Sequence, residues 1–128
     1  PDAVCIVPLL PDGSVLLERE FRYPLNSWCV SLPAGLIDAG ESLEEAVARE
    51  LSEETGYRLR DDIAPAVRPL PQPGSVFAQV EAAGEARPDS AELIEPFTVA
   101  RADLRAFLDA NQLPIGTRCQ LILELLAL

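Results

Sequence analysis

The feature that most constrains this chain is a helix that carries glutamates on its apolar face. Ser42 with Glu45 three residues later forms a capping box, in which each side chain satisfies the other residue's free backbone N–H. The helix is therefore expected to begin at Leu43. Gly56 can take the left-handed conformation that closes a helix without a side-chain clash, so Thr55 is its expected end. At about 100° per residue, with Ala46 at zero, Leu43, Val47 and Leu51 fall between about 60° and 140° and mark an ordinary buried stripe. Glu50 and Glu54 fall at about 40° and 80°, inside that arc, and Glu53 lies at its edge.

An ionised carboxylate taken out of water costs several kcal/mol unless something compensates it. Arg49 can pair with Glu45 and Glu53 across one turn, but the other glutamates are expected to lie beyond its side of the helix. One arginine is too little, and a cation is expected. An all-oxygen donor set suits Mg²⁺ or Mn²⁺, and Mg²⁺ completes its shell from water and substrate phosphates. The plain alternative is a solvated acidic helix, which would set its glutamates opposite the apolar stripe.

Absences narrow the chemistry further. The chain has no histidine, and all ten of its basic residues are arginine. That removes Ser-His and Cys-His nucleophiles, histidine metal ligands, lysine Schiff bases and the lysine of a phosphate-binding P-loop. Carboxylates and a metal remain. The three cysteines, Cys5, Cys29 and Cys119, lack metal-ligand spacing and are expected to fill the core of a protein from a reducing compartment. A net charge of −11 opposes nucleic acid as a partner. It would also repel a phosphorylated substrate unless bound cations reverse the field at the site.

The pattern of Gly35, Glu41, Arg49-Glu50-Leu51, Glu53-Glu54, Gly56 and the bulky Tyr57 resembles the signature of the Nudix hydrolases. Tyr57 departs from the aliphatic residue usual there. Within that family, Pro33-Ala34-Gly35 and Pro73-Gly74, sixteen residues past Tyr57, resemble the ADP-ribose pyrophosphatase branch. The resemblance implies that the Ala34 carbonyl helps to hold a metal. It also marks Ser31 as a departure, because a glutamate is frequent two residues before that proline.

The rest of the chain reads as short elements. Ala3–Val7 and Val15–Arg19 form an expected hairpin about Pro11-Asp12-Gly13-Ser14. Residues 19–24 mix rings and guanidinium groups, which could hold a base or a phosphate or could be an ordinary strand end. Residues 58–63 read as an exposed turn, and Pro65, Pro69, Pro71 and Pro73 exclude a central strand. Residues 75–80 and 92–99 read as strands and Gly84–Ser90 as a loop. Ala102–Ala110 and a segment capped by Thr117 read as helices. Leu121, Ile122, Leu125, Leu126 and Leu128 of the last helix are expected in the core, though this surface could also contribute to a homodimer.

These elements imply one domain over residues 1–128 of the 128-residue chain, an α/β (α+β) fold with a mixed β-sheet sandwiched between helices, the Nudix arrangement. The resemblance implies Mg²⁺-dependent, or Mn²⁺-dependent, hydrolysis of a nucleoside diphosphate linked to another moiety. For this branch that means ADP-ribose cleaved to AMP and ribose 5-phosphate. It assigns Ala34, Glu50, Glu53 and Glu54 to the metal, with Glu53 in a supporting or shared role. Arg49 orients the glutamates, Glu41 braces the loop, and Glu92 is the candidate base, with Asp89 and Glu95 behind it. Phe21, Arg22 and Tyr23 are the candidate substrate contacts. Alternatives are another nucleotide sugar, a dinucleoside polyphosphate, a damaged nucleoside triphosphate, or a sensor that binds without turnover. No apolar run approaches a membrane span and no signal peptide is read, so a cytoplasmic protein without a membrane partner is expected. The absence of an initiator methionine points to a trimmed or partial chain, and the N-terminal segment through which this branch often dimerises is not read.

Overall fold

The computed structural model describes residues 2–60, 66–69, 75–84 and 93–128, with the backbone alone for residues 66–69 and 75–77. Strands β1 (Ala3–Leu9) and β2 (Val15–Arg22) are antiparallel and meet at Leu9↔Val15. Between them Asp12 accepts a hydrogen bond from the Ser14 N–H, and Gly13 takes a φ of 87° that a β-branched residue would resist. Strands β3 (Ser27–Ser31) and β4 (Ala34–Leu36) follow, then helix α1 (Leu43–Thr55), β5 (Arg58–Leu59), β6 (Ala66–Pro69), β7 (Ser75–Ala83) and β8 (Ile94–Val99). Helices α2 (Leu104–Ala110) and α3 (Thr117–Leu126) close the chain.

The sheet runs β3-β2-β1-β7-β5, with β8 also on β2, β4 on β1 and β6 on β7. β1 and β7 are parallel while the remaining pairs are antiparallel, so the sheet is mixed. Alternation along each strand then divides the core into two layers. Val4 and Ile6 of β1, Leu16 of β2 and Ala78 and Val80 of β7 pack with Val47 and Leu51 of α1. Cys5, Val7, Val15, Leu17 and Val30 face the other way, onto Leu104 and Leu108 of α2 and Leu123 of α3. Burying each such aliphatic side chain contributes roughly 1.5–3 kcal/mol. The expected sandwich of helices about a mixed sheet is observed.

Three local readings change. Residues 58–59 are a short strand rather than a turn, paired with β7 at Arg58↔Ala83 and Leu59↔Ala82. Thr117 is the first residue of α3 and not its cap, because Gly116 holds the capping position without a side-chain hydrogen bond. Leu121, Leu125 and Leu128 are exposed, while Ile122 and Leu126 pack against the core, because the sheet covers only one side of α3. The proline-rich segment does contain a strand, β6, but its only partner among the described residues is β7, consistent with an edge position. Among the described residues no helix is long and apolar enough to cross a membrane. Pro65, Pro71, Pro73-Gly74, Asp89 and Glu92 lie outside the described residues.

Candidate active site

β1 pairs with β2 only at the hairpin end, and β4 takes the edge of β1 from Ala3↔Leu36 to Cys5↔Ala34. The turn between β3 and β4 is fastened there by the Ile6 N–H, which donates to the Pro33 carbonyl at 2.7 Å. This brings Ala34 and Gly35 against the polar flank of α1. The helix has the bounds read from its capping box: Ser42 accepts from the Glu45 N–H at 3.1 Å, Glu45 accepts from the Ser42 N–H at 3.2 Å, and Gly56 ends it at φ 80°.

Around Arg49 the charges are matched. Its guanidinium donates to both oxygens of Glu41 at 2.8 and 2.9 Å, to Glu50 at 2.9 Å, to Glu53 at 3.3 Å and to the Leu36 carbonyl at 3.0 Å. Asp38 stands 3.5 Å away. Two helical-wheel expectations are corrected here. Glu45 is held by the capping box, and Arg49 does reach Glu50, because its long side chain turns toward the loop instead of along the helix. Glu41 also accepts from the Asp38 N–H at 3.0 Å, which braces the loop as expected. The hydrogen bonds from Arg49 hold the Glu41 carboxyl down at about 2. Glu50 is buried, and loss of hydration raises its pKa although Arg49 opposes this. Its carboxylate lies so close to Gly35 that a Cβ at that position would overlap it, so glycine is required there for space.

Around Glu54 they are not. Its carboxylate accepts from the Ala34 N–H at 3.2 Å and interacts with the carboxylate of Glu18 of β2. Burial raises its pKa to about 7, with Glu50 and Glu20 adding repulsion. Glu18 is only 2% exposed and its Oε2 has no hydrogen-bond partner, while Oε1 accepts from the Ser31 hydroxyl at 3.3 Å. Burial and then the charge of Glu54 push its pKa up as well. Sequence reading missed Glu18. The available signal was alternation, since Leu16 and Glu18 share the face of β2 that α1 covers; the sequence reading places Glu18 only within the strand Val15–Arg19.

Glu18, Glu20, Arg22, Ser31, Ala34 and Glu54 line one cavity of about 830 Å³. The structure thus divides the three aromatic and arginine candidates. Arg22 is in the cavity wall, whereas Phe21 faces the other side of the sheet, edge-on to Trp28 at 5.7 Å and to Tyr23 at 5.1 Å. Tyr23 is largely exposed. Glu53 is exposed on the Arg49 side of the helix and Glu54 on the cavity side, so among the described residues no three carboxylates converge on one point. The donor set nonetheless fits a hard divalent cation: it is all oxygen, it opens on a cavity, and it contains a buried carboxylate oxygen without a partner.

A family model described as the NUDIX domain matches residues 1–117. The ADP-sugar pyrophosphatase of Mus musculus is 36% identical over 125 residues, which covers 85% of this chain and 57% of the relative. The ADP-ribose pyrophosphatase of Saccharomyces cerevisiae is 55% identical over 61 residues, 44% of this chain and 26% of the relative. The chain therefore spans little more than half of one of these proteins and about a quarter of the other. A crystal structure of an ADP compounds hydrolase superposes with a TM-score of 0.72 at 28% identity, over 96% of this chain and 69% of that one. With its acidic helix, its mixed sheet and this match along nearly its whole length, the chain belongs to the Nudix family.

Proposed function

We propose that this chain catalyses the hydrolysis, with a divalent cation, of a nucleoside diphosphate linked to another moiety, with ADP-ribose cleaved to AMP and ribose 5-phosphate as the preferred reaction. The observation that carries the reading is Glu54, a largely buried carboxylate in a cavity wall whose nearest charged companions are other carboxylates. Glu50 and Glu54, with Glu53 and the carbonyl of Ala34, would hold Mg²⁺ or Mn²⁺. The bound cation supplies charge neutralisation on the phosphate oxygens and a more acidic water.

The chain's own residues supply position. Arg49 fixes Glu50 and Glu53 relative to the loop, and Glu41 fixes Arg49. Arg22, on the cavity wall, would pair with a diphosphate oxygen, a task that suits a planar guanidinium. Glu92 remains the candidate base for water. The preference for ADP-ribose draws on Pro33-Ala34-Gly35 and on the names of the relatives.

A single competition assay tests both levels. ADP-ribose, a nucleoside triphosphate and a dinucleoside polyphosphate are mixed with the chain and Mg²⁺, and products are separated by chromatography. ADP-ribose is expected to be consumed first and all turnover to stop in excess chelator. Preferential loss of the triphosphate or the dinucleoside polyphosphate would overturn the substrate, and undiminished turnover in chelator would overturn the metal site.

A further inference from the structure

We propose that Glu18 is a further cation-facing carboxylate of this site, acting with Glu54 on the same ion; the inference rests on the metal reading above. Glu18 follows Leu16 on the face of β2 that packs toward α1, and the register sets it directly opposite Ser31 of β3. It is 2% exposed, yet it lines the cavity together with Ser31, Ala34 and Glu54. One of its oxygens accepts from Ser31, and the other is buried without a partner beside the Glu54 carboxylate.

Among the described residues no ion pair joins an arginine to either carboxylate, although Arg118, like Arg22, lines the same cavity. Arg19 lies over the Trp28 ring at 5.0 Å and pairs with Glu95 at 3.3 Å, on the other side of the sheet. Arg49 is engaged with Glu41, Glu50 and Glu53. Arg22 stands four residues further along β2, about 13 Å from Glu18 at the usual rise per residue. Two adjacent carboxylates lining one cavity are matched by an ion that contacts both, and hard divalent cations accept such oxygen pairs. The register adds a second point. Directly opposed residues of antiparallel strands carry their Cβ atoms about 4.5–5.5 Å apart on one face, so a carboxylate at position 18 or at position 31 reaches the same space. Ser31, where the family's glutamate is absent, faces a glutamate supplied by the neighbouring strand.

The test needs no turnover. Mn²⁺ is titrated into the chain without substrate, and free ion is followed by electron paramagnetic resonance. Four chains are compared: wild type, Glu18→Gln, Glu54→Gln, and the exchange Glu18→Ser with Ser31→Glu. Glu18→Gln is expected to weaken Mn²⁺ binding about tenfold, and the exchange to restore it to within about threefold of wild type. Wild-type affinity in Glu18→Gln, with binding weakened only in Glu54→Gln, would overturn the proposal and leave the metal reading intact. Failure of the wild-type chain to bind Mn²⁺ would overturn both. The exchange keeps one carboxylate and one serine in the pair, so it decides the matter even if Glu18→Gln packs poorly. A folded exchange variant that does not recover affinity would reduce Glu18 to a packing role.

Discussion

Two acidic groups gather at helix α1 and differ in one respect. Near the loop, Arg49 sits among Glu41, Glu50, Glu53 and Asp38 and satisfies them with a fixed guanidinium. Near the cavity, Glu54 meets Glu18 with, among the described residues, only the Ala34 N–H and the Ser31 hydroxyl as donors. The first group has an arginine of the protein as a partner, and the second pairs with no arginine among the described residues. Under the proposed function, the contrast would let a chain of net charge −11 hold a diphosphate: the loop side would give rigidity, and the cavity side would supply oxygens to a cation.

Breaking the cavity side should have the largest effect on function. Glu54→Gln is expected to lower kcat by about 100-fold or more, since cation-borne charge stabilisation is worth several kcal/mol. Its thermal transition in metal-free buffer should stay level or rise, because one member of a repelling pair is gone. Glu44→Gln, exposed on the same helix, is the control and should keep wild-type turnover. Equal losses in the two variants would mean that the assignment of faces is wrong.

Breaking the loop side should do the opposite. Arg49→Gln leaves Glu41, Glu50 and Glu53 without their shared partner, so the urea midpoint in metal-free buffer should fall where that of Glu54→Gln does not. A midpoint equal to wild type would show that Arg49 is not what neutralises that group.

Gly35 joins the two sides through the space it leaves for Glu50. Gly35→Ala is expected to cost about 1–3 kcal/mol by overpacking, measured by urea unfolding. Added to Glu50→Ala, the same change should cost much less, because the overlapping carboxylate is gone. Simple additivity of the two costs would argue against the contact.

The smallest effect is a pH profile with limbs of opposite origin. Glu18 and Glu54 bind protons more tightly folded than at their ordinary value of 4.5. Their contribution to stability is therefore full below about 4.5 and is lost as pH rises through the raised values, about 7 for Glu54. Glu41 is depressed to about 2, so its contribution is present above 4.5 and is lost as pH falls toward 2. Thermal melts in chelator should show Glu18→Gln flattening the upper limb and Glu41→Gln the lower. A profile unaltered by either change would refute the assignment.

Local chemistry made α1 legible. Its capping box, its terminal glycine and the glutamates inside its apolar stripe involve residues within a few positions of one another, so its bounds and its acidic face could be read directly. The order of the elements, with strands before and after a central helix and more helix at the C-terminus, likewise implied a mixed sheet between helices. What remained hidden depends on pairs distant in sequence. Whether Arg49 turns to Glu45 or to Glu41 and Glu50 is decided by where the loop places its acceptors. Phe21 and Arg22 are neighbours in sequence, but the pleat sends them to opposite faces of the sheet, so only one reaches the cavity. Glu18 was ordinary as one charge at the end of an apolar run. Antiparallel register placed it opposite Ser31 and α1 covered it, and these contacts across the sheet, set by packing instead of by adjacent residues, made it a buried carboxylate beside Glu54.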